Sequence, residues 1–147
     1  MADKQLTAHF DGERLAALLE TLLPGNDDWP GASELDLAAA VTQRAGMAEG
    51  HAQAIERLLA ALPPDFAGST VEAREDVLRL HEGTDDFGAA LLVAYDAYYV
   101  QAPVLGLLEE RCGYVTRPPQ PEGFELNAFD ESRLAQIRKR EPFWRKA

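Results

Sequence analysis

Cysteine is almost missing: Cys112 stands alone in 147 residues, so no internal disulfide can hold the fold. Long apolar runs are missing as well. The stretch poorest in charge, residues 87–108, is interrupted by Asp96, Gln101 and Pro103, which excludes a membrane-spanning helix. No glycine-rich fingerprint follows a strand pattern and no Walker-type loop occurs, so the usual dinucleotide and triphosphate motifs are excluded. No serine occupies a Gly-x-Ser-x-Gly elbow. Basic residues are scarce, 14 against 25 acidic, giving a net charge of −11. A body this acidic repels phosphates, which argues against general nucleic-acid binding. The opening residues, Met1-Ala2-Asp3-Lys4-Gln5, show no basic segment followed by an apolar one, so no secretion signal is read and the expected compartment is the cytoplasm.

What is present points to a globular helical domain. Hydrophobic residues make up 46% of the chain, and its length is enough to bury a core without metal or disulfide. Leu15, Leu18, Leu19 and Leu22 recur at helical spacing, predicting a first helix over about 11–23 with Asp11 as N-cap and Pro24-Gly25 as its stop. Residues 24–31 are dense in turn formers. A second helix is expected from Ser33, its N-cap, with Leu37, Ala40 and Val41 as a narrow apolar face. A third, about 49–62, carries Ile55, Leu58, Leu59 and Leu62 and ends at Pro63-Pro64, where no N–H is available to continue it. Ser69 and Glu72 have capping-box spacing and open a fourth helix that runs to about Gly83. Asp85 or Asp86 is expected to cap the next and most apolar helix. Phe87, Leu91, Tyr95 and Tyr98 share one of its faces, with Leu92 and Tyr99 beside them, which predicts a central position. Pro103 kinks or restarts this helix, and the pattern continues to Cys112-Gly113.

Beyond Tyr114 the character changes. Pro118, Pro119, Pro121 and Gly123 forbid regular structure over most of 114–129, a segment that also holds Val115, Phe124, Leu126 and Phe129. A short helix over about 130–140 follows, and residues 133–147 carry six basic groups against one acidic. This basic tail has three possible berths: the acidic body, a partner, or solvent. No stretch alternates as a strand would. The expectation is a single all-α domain over 1–147, a small helical bundle with long Pro/Gly-rich loops, an extended segment at 114–129 and a basic C-terminal tail at 130–147.

No catalytic constellation emerges. His9, His51 and His81 are scattered, and only His81-Glu82 with Asp85-Asp86 is compact. Those oxygens would suit a hard cation, but a helix end followed by a carboxylate cap has the same composition. Cys112 has no histidine beside it and reads as a buried structural residue. Tyr95, Asp96, Tyr98 and Tyr99 would serve acid–base chemistry or packing, and at helical spacing Tyr95 and Tyr98 read as core, with Tyr99 at its edge. Trp29, Tyr114, Phe124, Phe143 and Trp144 lie in or next to irregular segments. Such aromatics either pin a loop to its own core or anchor a partner.

Two groups of residues together resemble the gluconate 2-dehydrogenase subunit 3 family. One is Leu22-Leu23-Pro24-Gly25 followed by Trp29-Pro30-Gly31-Ala32 and a helix. The other is Tyr98-Tyr99-Val100-Gln101-Ala102-Pro103, followed by Gly113-Tyr114 and the run Pro118 to Gly123, with the basic Ile137-Arg138-Lys139-Arg140 beyond. The resemblance covers about residues 15–140 and rests on turn motifs. It implies a small non-catalytic subunit with no cofactor or metal of its own. The implied partner is a large FAD-containing oxidoreductase of the glucose-methanol-choline type, acting on sugars, sugar acids or glycosides, which the small subunit helps to fold, stay soluble or assemble. Many members begin with a twin-arginine export signal and this chain does not, so a cytoplasmic complex is the simpler expectation; a periplasmic one would require export with a partner or removal of a signal. The expected interface residues are Trp29, Tyr98, Tyr99, Tyr114, Phe124 and Trp144, acting by packing. The competing readings are a helical adaptor that stands alone and a metal-dependent enzyme built on the His81 cluster.

Overall fold

The computed structural model describes residues 10–47, 49–115, 130–134, 138 and 139. The chain divides into two compact units, residues 1–116 and 117–147. Among the described residues there are six α-helices and no strand, so the protein is all-α. Phe124 and Trp144, the Pro-rich run and most of the basic tail lie outside the described residues.

In the first unit, α1 spans Gly12–Leu22 and buries Leu15, Leu18 and Leu19. Asp11 caps it by accepting from the Arg14 amide at 3.2 Å. The Arg14 guanidinium reaches across to the end of α3 (His51–Ala61), donating to the carbonyls of Leu59, Leu62 and Pro63 at 3.0, 2.9 and 2.7 Å. Pro63-Pro64 halts α3 and leaves its last carbonyls without helical partners, and one arginine supplies the missing donors. Between these helices, residues Ala32–Glu34 form a 3-10 turn and α2 runs over Leu37–Ala45. The second helix therefore starts later than its Ser33 signal suggests. The Glu34 side chain folds back onto the Gly31 amide at 2.9 Å, and Leu35 is extended, which separates turn from helix.

Two other predicted caps also shift by a residue or more. Thr70, not Ser69, accepts from the Ala73 amide and opens α4 (Val71–Arg79), while the Ser69 hydroxyl donates backwards to Asp65 at 2.9 Å. Thr84, not Asp85 or Asp86, caps α5 (Asp85–Tyr98). Asp86 instead pairs with Arg57 of α3 at 2.5 Å, and the hydrogen bond from that guanidinium holds its carboxyl below the usual carboxylate range. The fourth helix stops at Arg79 rather than near Gly83, leaving Leu80 exposed.

Helix α5 is central, packing most extensively against α3 and α2. The face it buries matches the predicted one only in part: Tyr98 is buried as expected and Phe87 packs against the core, but Tyr95 does not. Ala90, Val93, Ala94, Ala97 and Tyr98 are buried, whereas Leu92, Tyr95 and Tyr99 are 58%, 42% and 50% exposed. Small side chains let two helices approach the α5 backbone closely, and dense packing favours them over larger apolar groups. Gln101 ends α5 by donating its carboxamide to the Ala97 carbonyl at 3.0 Å. Pro103 then sits in the first turn of α6 (Ala102–Cys112), where its missing amide costs nothing, and the two helices meet at 75°. Cys112, expected to be buried, is exposed at the end of α6. No single helix among the described residues is long and apolar enough to cross a membrane.

In the second unit, within the predicted last helix, Glu131–Leu134 form a 3-10 turn and Arg138 is helical. Asp130 accepts from the Ser132 amide at 3.0 Å, and the hydrogen bonds from Ser132 lower its carboxyl pKa. Arg138 lies 3.7 Å from Glu131.

A tyrosine cleft against a closed turn

The connector between α1 and the 3-10 turn is a closed loop. The Ala32 amide donates to the Leu23 carbonyl at 2.8 Å and shuts its base. Inside it, Asn26 and Trp29 exchange backbone hydrogen bonds at 2.9 and 3.3 Å, and the Asn26 carboxamide oxygen accepts from the amides of Asp28 and Trp29. The two strands of the loop cross at the glycines. A Cβ on Gly25 would lie 2.4 Å from the Gly31 nitrogen, and one on Gly31 would lie 2.6 Å from the Pro24 carbonyl oxygen. Gly25 also has φ +75°, which L side chains rarely adopt. The repeated Pro-Gly pattern of the sequence thus has a steric cause.

This loop leans on the C-terminal end of α5. The Tyr98 hydroxyl donates to the Pro30 carbonyl at 2.9 Å. Burial, aided by neighbouring Tyr99 and Glu34, pushes the Tyr98 phenol above its ordinary value and keeps it a donor. The ring of Tyr98 meets that of Tyr99 edge-on at 5.3 Å, and Tyr99 meets Tyr95 at 6.3 Å. On the other side Trp29 is partly buried against the core, with the Arg111 guanidinium 5.6 Å from its ring centre. Arg111 also pairs with Asp28 at 2.8 Å, tying α6 to the loop.

Between loop and helices lies an open cleft of about 420 Å³. Trp29 and Pro30 form one wall, Tyr95, Tyr98 and Tyr99 another, and Leu108 of α6 contributes to the lining. Leu92 extends the exposed apolar surface one turn along α5. Of the six residues expected at an interface, the structure brings together Trp29, Tyr98 and Tyr99. Tyr98 acts there from within, as a buried strut rather than a contact residue. Tyr114 is exposed just after Gly113, its amide on the Leu108 carbonyl at 3.4 Å, and its side chain is not part of the cleft lining. Sequence reasoning missed Tyr95, which it assigned to the core. The spacing of Leu92, Tyr95 and Tyr99 marks a second helical face and was the signal for it.

A larger cavity of about 580 Å³ lies between α1, the start of α2 and α4. Its buried cation, Arg74, is engaged with Glu20 at 2.8 Å, and Glu13 and Asp36 add two more carboxylates. The Arg74 Nε has no hydrogen-bond partner. Among the described residues no group of three or more His, Cys, Asp or Glu could hold a metal ion, and the Arg57–Asp86 pair takes one carboxylate of the His81 cluster. No family model, no curated protein and no solved structure matches the chain.

Proposed function

We propose that the chain is the small, non-catalytic subunit of a heteromeric FAD-dependent dehydrogenase acting on sugars or glycosides, and that it assists the folding, stability or assembly of the large flavoprotein subunit. The observation that carries this reading is the aromatic cleft. A cluster of half-exposed tyrosines beside a tryptophan, held on a braced loop and a central helix, has the composition of an interface hot spot. Tyrosine and tryptophan bring large contact area for little lost rotamer entropy, and a fixed platform lowers the ordering cost of association. The resemblance of residues 22–32 and 98–103 to the subunit 3 family supports a flavoprotein as that partner, and Leu22 to Asn26, Trp29, Pro30, Tyr98 and Tyr99 of those segments line the cleft. FAD belongs to the partner in this reading, and no residue of this chain is assigned to it.

The test is affinity capture of the tagged chain from its native cell lysate, with an absorbance scan of the eluate. A large co-eluting chain with a flavin spectrum is the expected result. A colourless, partner-free eluate from cells that express the flavoprotein contradicts the reading, and a stable homo-oligomer in that eluate would indicate a self-associating adaptor.

A further inference from the structure

We infer that the cavity between α1, the start of α2 and α4 binds a linear aliphatic zwitterion of the ω-amino acid class, its carboxylate toward Arg74 and its ammonium toward Glu13 and Asp36. The inference does not depend on the accessory-subunit reading, and the cavity shares no lining residue with the aromatic cleft. A guanidinium carries five N–H donors. Arg74, only 6% exposed, uses one of them, from Nη2 to Glu20 at 2.8 Å. Among the described residues its Nε has no acceptor; Nη1 has none either and, unlike Nε, is not sealed from solvent. Arg74 borders the cavity, so the surface it keeps open is the surface a ligand meets. Unmatched donors this deep are costly, and a carboxylate fits the planar fork better than a neutral acceptor does. The rim makes the opposite demand. Glu13 and Asp36 line the same cavity and are exposed, and among the described residues neither side chain has a hydrogen-bond or cationic partner. A simple anion is repelled by these two carboxylates, and a simple amine leaves Arg74 unmatched. A neutral polyol leaves both carboxylates uncompensated, and no group of three ligands for a metal ion occurs among the described residues. A zwitterion answers both demands. Spacing sets its length. Glu13, Ala16, Ala17 and Glu20 share one face of α1, so the Glu20 end, where Arg74 is held, lies two turns or roughly 10 Å along the helix from Glu13. That span calls for several carbons between the charges, not the single carbon of an α-amino acid. The two alanines between the ends, with Leu35 and Ala38, give an apolar lining that suits a methylene chain better than peptide amides. At about 580 Å³ the cavity is of small-molecule size.

Full-length protein is titrated by calorimetry with 6-aminohexanoate and, separately, with hexanoate, hexylamine, leucine and glucose. Saturable binding of 6-aminohexanoate is expected, with each of the other four weaker by about tenfold or more. The double variant Glu13→Gln, Asp36→Asn changes two exposed positions and keeps an asparagine at the α2 N-cap, so it retains the fold. It should weaken 6-aminohexanoate severalfold and leave hexanoate unchanged or improved. Arg74→Lys keeps the charge, loses the fork and should abolish binding; should it fail to fold, the double variant decides. No saturable heat with 6-aminohexanoate, equal affinity for any of the four comparison compounds, or unaltered affinity in the double variant overturns the inference.

Discussion

Gly25 and Gly31 carry the loop that holds the cleft open, and each is irreplaceable for a local reason. Gly25 combines a left-handed backbone with a neighbour 2.4 Å from any added Cβ. Gly25→Ala is expected to destabilise the fold by more than about 1 kcal/mol, measured by urea denaturation. Tyr98 makes the companion contact. Tyr98→Phe removes its hydrogen bond to Pro30 and should cost about 0.5–1.5 kcal/mol. It should also change the alkaline limb of stability. The folded phenol titrates above its ordinary value, so its contribution is complete below about pH 10 and is lost as pH rises through the folded pKa. Melting temperatures from pH 8 to 11 should fall less steeply in Tyr98→Phe than in the parent. The turn itself was legible in the sequence as a crowd of Pro, Gly and Asn. The crossing of its two strands was not, because it depends on a contact between residues six apart whose geometry no local preference specifies.

At the scale of elements, α5 decides both the core and the site. Its alanine face meets α3 and α2, and its tyrosine face meets solvent. Ala94, fully buried, has no room to grow, and Ala94→Leu should cost about 1–3 kcal/mol through overpacking. Leu92→Ser on the opposite face should change stability by no more than about 0.5 kcal/mol. Equal costs at the two positions, read from the same denaturation curves, would restore the orientation expected from hydrophobicity. That expectation holds only in part because Leu and Tyr outrank Ala in apolarity, while packing between two helices selects for size. The helices themselves were largely readable. α1 and α3 lie within one or two residues of their apolar stripes and proline stops. The N-caps of α4 and α5 were misassigned because Ser69 and Thr70, or Thr84, Asp85 and Asp86, are all competent caps; the Ser69 hydroxyl is engaged by the Asp65 carbonyl four residues back and Asp86 by Arg57 of α3, which leaves Thr70 and Thr84 to serve.

For the whole molecule, an acidic helical body presents one aromatic surface built by segments far apart in sequence: the loop at 24–31, the end of α5 and Leu108 of α6. Trp29 and Tyr99 were recognisable as anchors because each flanks a turn, and Tyr95 was not because it sits inside a helix. Phe124 and Trp144 lie outside the described residues. The most direct measurement is the affinity of the purified chain for the large flavoprotein, compared between the parent and a Tyr95→Ser, Tyr99→Ser double variant, with Leu80→Ser as an exposed control away from the cleft lining. A loss of about 2–4 kcal/mol in the double variant, with the control unchanged, is the expected outcome. Full affinity in the double variant would contradict a partner interface at this face.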